Sequence, residues 1–338
     1  MARRAATHNK LRMHIENVST YHRHVQIDRS AYDRVAKRHP DIARRLEVTV
    51  GWDYKDFDQH MKDAEVLVFM GLDFKPAGFA ERAPKLKWIQ MTSAGVEHIM
   101  PFDWLPAHVA MTNNSGVHAE KHGEFGITAV LMLNNNVPVM TTNQRECRWR
   151  TVFGTAIAGK TVTIVGVGSI GGAVAAFAKK LGMRVVGVRR QGGKHRHVDV
   201  MYTPRQLAKA IGEADFLVTT LPATAQTRNL IDARMLDRLK KGAGVVNLGR
   251  AATMDYDALM GKLEREELCG AVIDAHDPEP LASASPMWQT KNLIVSPHCT
   301  SSDVEQYAPL TLEQTFENLA RFMKGRPLLR QIDRNLGY

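Results

Sequence analysis

Residues 161–190, TVTIVGVGSIGGAVAAFAKKLGMRVVGVRR, restrict the fold more than any other stretch of the chain. A β-branched run leads directly into Gly166, Gly168 and Gly171 in G-x-G-x-x-G spacing; an Ala-rich helical pattern follows, and a second β-branched run closes the segment. A glycine trio alone says little, but between a strand and a helix each glycine has a task. The first permits a tight turn, the second lets a pyrophosphate approach the backbone, and the third lets the helix pack closely on the strand. The helix N-terminus then offers its amides to the anion. The order strand, glycines, helix, strand is that of a βαβ unit. It predicts a parallel sheet with a dinucleotide site at Gly166, Gly168, Ser169, Ile170 and Gly171.

The same alternation runs along the rest of the chain. Before the glycine motif come LRMHIENV, the amphipathic AYDRVAKRHPDIARR, LEVTV, AEVLVFMG and KLKWIQM. After it come ADFLVTTLP, GAGVVNLGR, GAVIDAHD and NLIVSP, runs hydrophobic throughout, as strands covered on both faces must be. Two series of strands in 338 residues predict two α/β domains. Between them GEFGITAVLMLNNN reads as a helix apolar all round, expected to be buried between domains or subunits. Near the end, SSDVEQYAPLTLEQTFENLARFMKG reads as a helix with Ser302 and Glu305 as a capping box and Gly325 and Pro327 as stop signals.

Bulk properties exclude several classes. With 44% hydrophobic and 24% charged residues the composition is that of a globular protein. The chain has no apolar run long enough to span a bilayer and no apolar segment behind its basic start, MARRAATHNK, which reads as a disordered tail. Cys147, Cys269 and Cys299 lie far apart, which argues against disulfides and a zinc site; no metal is expected, and reduced thiols suit a cytoplasmic protein. The net charge of +10 is spread along the chain without a nucleic-acid-binding signature, so a small anionic ligand accounts for it.

The residue types at the strand ends narrow the chemistry. Where an NAD site would carry a carboxylate for the adenosine ribose, this chain has Arg189 and then Arg190. A guanidinium binds a 2′-phosphate that a carboxylate would repel, so NADP(H) is the expected coenzyme, with NAD(H) the alternative. Lys194, His195 and Arg196 in the following loop read as a solvated basic turn. Further along, VVNLGRAATMD carries Arg250, GAVIDAHDPEPL carries Asp274 and Glu279, and NLIVSPHCTSS carries His298. Each lies at the carboxyl end of an expected strand, the edge where doubly wound sheets bind ligands.

These segments, with TSAGVEHI around Gly95, NNSGVHAEKHGE around Glu124, LPATAQTRNLI and SPH, make the sequence resemble the D-isomer-specific 2-hydroxyacid dehydrogenase family over nearly its whole length. The resemblance puts the family's catalytic Arg, Glu and His on Arg250, Glu279 and His298. In that role His298 supplies the proton as hydride transfer builds charge on a carbonyl oxygen, and Glu279 orients its imidazole. Arg250 holds the substrate carboxylate in its planar fork. The resemblance further implies substrate contacts from backbone amides of Ser93, Ala94, Gly95 and Val96, beside Arg250 and His298. It places Leu221, Pro222, Leu248 and Asp274 at the cofactor wall, positions equally readable as strand-end packing.

The architecture implied is a flavodoxin-like substrate domain of residues 1–112 and 300–338 around a Rossmann dinucleotide-binding domain of residues 113–299, assembled as a homodimer through the apolar helix near residues 124–137. Three places depart from the family pattern. Arg189 replaces the common Asp, Cys299, Thr300 and Ser301 replace a small, glycine-rich turn, and His118 and His122 stand where Asn or an apolar residue is usual. The expected reaction is reduction of a small 2-oxo acid, glyoxylate or hydroxypyruvate first among them. With no regulatory domain after the last helix, a long phosphoglycerate dehydrogenase is disfavoured, and Glu279 in place of Gln disfavours formate oxidation. The alternatives are a dinucleotide-sensing, corepressor-like interaction protein and a dehydrogenase of another oxyanion such as phosphite.

Overall fold

The two series of strand-forming runs build two separate parallel sheets in the computed structural model, which describes residues 10–334, 336 and 337. The tail expected at residues 1–9 lies outside the described residues. The chain divides into two units: residues up to Val117 together with those from Asp303 onward, and His118–Ser302.

The first unit holds β1 (Leu11–Asn17), β2 (Leu46–Trp52), β3 (Val66–Phe69), β4 (Trp88–Met91) and β5 (Ala110–Thr112), in the order β2-β1-β3-β4-β5. This is the flavodoxin-like order, in which the chain reverses direction between β1 and β3. Strands β3 and β4 are buried on both faces; β3 is apolar throughout, whereas β4 buries one polar side chain, Gln90. One face is covered by the C-terminal helix Tyr307–Phe322, whose Leu312, Phe316 and Leu319 pack with Met13, Ile15 and Val66. That helix starts later than its sequence suggests, because the Asp303 carboxylate, not Ser302, accepts from the amides of Glu305 and Gln306 at 2.9 and 3.0 Å. A charged oxygen is the stronger acceptor for those amides. Gly325, at φ +62, ends the segment as expected. The run AYDRVAKRHPDIARR is likewise two helices, Arg29–Ala36 and Pro40–Ala43, since Pro40 pushes His39 out of helical geometry.

The second unit holds β6 (Thr161–Val165), β7 (Arg184–Val188), β8 (Val200–Tyr202), β9 (Phe216–Thr219), β10 (Gly244–Asn247), β11 (Gly270–Ile273) and β12 (Leu293–Val295). Their order, β12-β11-β10-β9-β6-β7-β8, is the doubly wound Rossmann arrangement extended by one strand. The long apolar helix, Ala119–Asn134, spends its buried face inside this unit. A Cβ on Gly123 would stand 2.5 Å from Ala173 Cβ, and one on Gly126 would stand 2.6 Å from Val174 Cγ2. Only glycine at both positions lets this helix close on the helix Ser169–Lys180.

Candidate active site

The glycine cradle forms where β6 passes into the helix Ser169–Lys180. Gly166 takes φ +104, and its carbonyl accepts from Thr220 Oγ1 at 2.5 Å and from Gly168 N at 2.9 Å. A Cβ on Gly171 would meet the Gly166 carbonyl oxygen at 2.3 Å, so the helix sits too close for any side chain there. Among the described residues nothing lies within 4 Å of a Cβ built on Gly168, which leaves the backbone open to an approaching ligand. The first-turn amides of Ser169, Ile170 and Gly171 belong to the helix positions that lack intrahelical acceptors. Cradle, open approach and free amides fit a pyrophosphate.

At the end of β7 the Arg189 side chain folds over its own loop. Its Nε donates to the Gly192 carbonyl and a terminal nitrogen donates to the Lys194 carbonyl at 3.3 Å. Burial, then the charges of His197, Arg189 and Arg196, depress the His195 pKa, and the His195 ring lies over Gly172 in the first turn of the cofactor helix. Lys194 and Arg196 are exposed, and only His195 of the three is partly covered. Arg190 is exposed. Leu248 is buried in the core beneath the Ala119–Asn134 helix, Leu221 packs at the edge of the other core, and the Pro222 carbonyl accepts from Thr227 Oγ1 at 2.6 Å.

Arg250, Glu279 and His298 follow three adjacent strands, β10, β11 and β12, at one edge of the sheet. His298 Nδ1 and Glu279 Oε2 are 2.7 Å apart, and both side chains are about one-third exposed, at 35% and 36%. With Nδ1 held by the carboxylate, Nε2 is the nitrogen left for proton exchange. Arg250 is positioned by Asn247, a buried side chain whose Oδ1 accepts from Thr219 Oγ1 at 2.8 Å and from Gly249 N at 2.9 Å. The Asn247 amide nitrogen donates to Tyr256 Oη at 2.9 Å and to the Arg250 carbonyl at 3.3 Å. Asp274 is 1% exposed, and its carboxylate accepts from Ser296 Oγ at 2.7 Å, Thr300 Oγ1 at 2.6 Å and Cys299 N at 3.3 Å. The carboxylate the sequence places at the cofactor wall thus ties down the segment that carries His298. Burial and then the Asp274 charge push the Cys299 thiol pKa up.

Ser93, Ala94, Gly95 and Val96 lie in the first unit after β4. Their loop is pinned by Asn113, whose amide donates to the Ala94 carbonyl at 3.0 Å, and by Asn114, whose backbone N donates to the Ser93 carbonyl at 2.9 Å. Tyr307 Oη holds the preceding Thr92 carbonyl at 2.6 Å. Sequence reasoning missed Asn247 and Ser296, and it marked Thr300 only as a departure from the family's turn; an Asn inside the aliphatic run GVVN is the one signal that would have flagged the first. Among the described residues no group of three or more His, Cys, Asp or Glu side chains is arranged to hold a metal ion, and no helix is long and apolar enough to cross a membrane. The three cysteines are free.

A doubly wound sheet with this cradle and an acid–imidazole pair on its carboxyl edge defines a nucleotide-dependent oxidoreductase. Residues 127–300 match the family described as D-isomer specific 2-hydroxyacid dehydrogenase, NAD binding domain. A glyoxylate reductase of Korarchaeum cryptofilum is 30% identical over 276 residues, covering 79% of this chain and 82% of that one. Among solved structures, a D-isomer specific 2-hydroxyacid dehydrogenase from Xanthobacter autotrophicus, in complex with NADPH and MES, superposes with a TM-score of 0.80 at 27% identity, covering 98% of this chain and 100% of that one. A family protein from Aeromonas salmonicida gives a TM-score of 0.79 at 28% identity, covering 96% and 99%. The chain belongs to the D-isomer specific 2-hydroxyacid dehydrogenase family.

Proposed function

We propose that the protein is an NADPH-preferring reductase of small 2-oxo acids, with glyoxylate and hydroxypyruvate as its leading substrates. The observation that carries this reading is the Glu279–His298 pair, 2.7 Å apart on the sheet edge that Arg250 shares. The carboxylate occupies Nδ1, which leaves His298 Nε2 to donate a proton as charge builds on the substrate oxygen. Arg250 binds the substrate carboxylate as a bidentate cation, and the backbone amides of Ser93–Val96 are proposed as further substrate contacts. When bound, the nicotinamide coenzyme supplies the hydride. The second unit is then the cofactor domain, with Gly166, Gly168 and the first turn of the helix Ser169–Lys180 around the pyrophosphate. Asp274, Leu221, Pro222 and Leu248 border the ring end.

The preference for NADPH rests on Arg189, with Arg190 beside it. The NADPH complex of the Xanthobacter relative supports the choice. A cytoplasmic homodimer accompanies this reading, supported by the three free cysteines and by exposed aromatic side chains at Trp149 and Phe153.

The test follows NADPH and NADH absorbance separately with a panel of 2-oxo acids. NADPH is expected to be consumed faster. His298→Ala should lower turnover by about 10²- to 10⁴-fold while coenzyme still binds. Arg189→Ala should weaken NADPH and spare NADH by roughly tenfold to a hundredfold, the worth of one charge-assisted contact. Dinucleotide binding without turnover of any acid would overturn the reductase reading in favour of a sensing protein, and turnover of phosphite alone in favour of a different oxyanion.

A further inference from the structure

His298 stands at φ +48, in the left-handed region that costs a non-glycine residue about 1–3 kcal/mol. Such a conformation persists only where its surroundings over-determine it. The restraints come from the end of β11. Asp274 holds the side chain of Ser296 on one side of His298, and the amide of Cys299 and the hydroxyl of Thr300 on the other. His276, two residues beyond Asp274 and 8% exposed, donates from Nε2 to the Ser296 carbonyl at 2.8 Å. Its main-chain N–H donates to Glu279 Oε1 at 2.7 Å, while the other oxygen of the same carboxylate engages His298. A carbonyl only accepts, so the Nε2 of His276 carries the proton. The buried Nδ1 has no hydrogen-bond partner among the described residues.

One residue therefore grips both halves of the acid–imidazole pair: the segment that carries the imidazole and the carboxylate that orients it. We propose that His276 is a positioning residue for proton transfer, its ring N–H fixing the backbone from which His298 projects; this deepens the reductase reading and rests on it. Any residue at 276 supplies the main-chain contact. Only a side chain with a donor at the reach of Nε2 supplies the other, which Gln does, whereas Phe fills the space without a donor and Asn is too short.

The experiment compares wild type, His276→Phe and His276→Gln by steady-state kinetics with a 2-oxo acid and NADPH, by coenzyme titration, and by the downfield proton resonance of a histidine Nδ1–H bonded to a carboxylate. His276→Phe is expected to lower kcat by roughly tenfold to a hundredfold, as for a small misplacement of a reacting group. Its coenzyme dissociation constant should change by no more than about threefold, because the cradle is untouched. The resonance should weaken or vanish. His276→Gln should restore most of kcat and the resonance. Wild-type kcat and resonance in His276→Phe would overturn the proposal, as would equal impairment of the Phe and Gln variants or a wild type without the resonance. If His276→Phe fails to fold, His276→Asn against His276→Gln gives the same comparison. A protein that turns over no 2-oxo acid sinks the reductase reading, and the resonance still decides the role of His276.

Discussion

Burial by itself raises the Asp274 pKa, yet His122 and the hydroxyls of Thr300 and Ser296 hold it below the ordinary carboxylate range. A carboxyl whose folded pKa is depressed contributes stability that is full above its unfolded value and is lost as the pH falls through the folded one. Asp274→Asn should therefore lower the melting temperature at about pH 7, by the equivalent of about 1–3 kcal/mol for a buried network left part-satisfied. The gap should narrow on acidification below roughly pH 4, where the Asp carboxyl of the unfolded chain starts to take up a proton while the folded one is still ionised. Calorimetry of both proteins across that range checks this; melting curves that stay a constant distance apart would show that Asp274 takes no part in the acid transition. His122, with Nε2 3.7 Å from Asp274 Oδ2, was visible in the sequence only as an unusual residue near a helix start. Its partner lies just past the end of β11, far along the chain, so no local pattern pointed to the pairing.

Secondary-structure elements show where local patterns suffice. The glycine motif and its flanking strands follow from consecutive residues whose steric needs are felt at once, and Gly171 makes that testable. Its absent Cβ would stand 2.3 Å from the Gly166 carbonyl oxygen and 3.0 Å from Ile164 Cγ2. Gly171→Ala must push the helix off β6, which costs about 1–3 kcal/mol as overpacking does. It should lower both the melting temperature and NADPH affinity measured by fluorescence titration, and an Ala variant with unchanged affinity would remove the close helix–strand approach from the account of the cradle. Strands β5 and β8 were not legible. Each has three residues at the edge of its sheet, too few to display a period. The C-terminal helix was legible but its start was not, because Ser302 and Asp303 both offer oxygens and only the folded turn selects the carboxylate.

For the whole molecule, the proposed homodimer has a direct readout. Trp149 is 101% and Phe153 88% exposed in the segment between the Ala119–Asn134 helix region and β6, an arrangement that places apolar area where a partner would cover it. Sedimentation equilibrium should give twice the 37.7 kDa of the chain. Trp149→Ala should weaken association by about the 2 kcal/mol or more of a buried aromatic anchor. A wild type that sediments as a monomer at all concentrations would exclude this assembly.

Much of the molecule is written in short-range order. β-branched runs, glycine spacing and charged residues just past strand ends specify two parallel α/β sheets and a glycine cradle and set Arg250, Glu279 and His298 beyond strands, because each signal rests on neighbours in the chain; the roles of these three came from the family resemblance. Long-range pairing adds what no such signal contains. In the first unit His14 and Glu16 are buried side by side, Nε2 to Oε2 at 2.8 Å, and Gly51 on the paired strand is glycine because a Cβ there would stand 2.3 Å from Glu16 Oε2. In the second, Asp274 and His276 reach residues some twenty positions away only because β12 lies beside β11. Which polar group is satisfied by which depends on strand register, and register is a property of the assembled sheet.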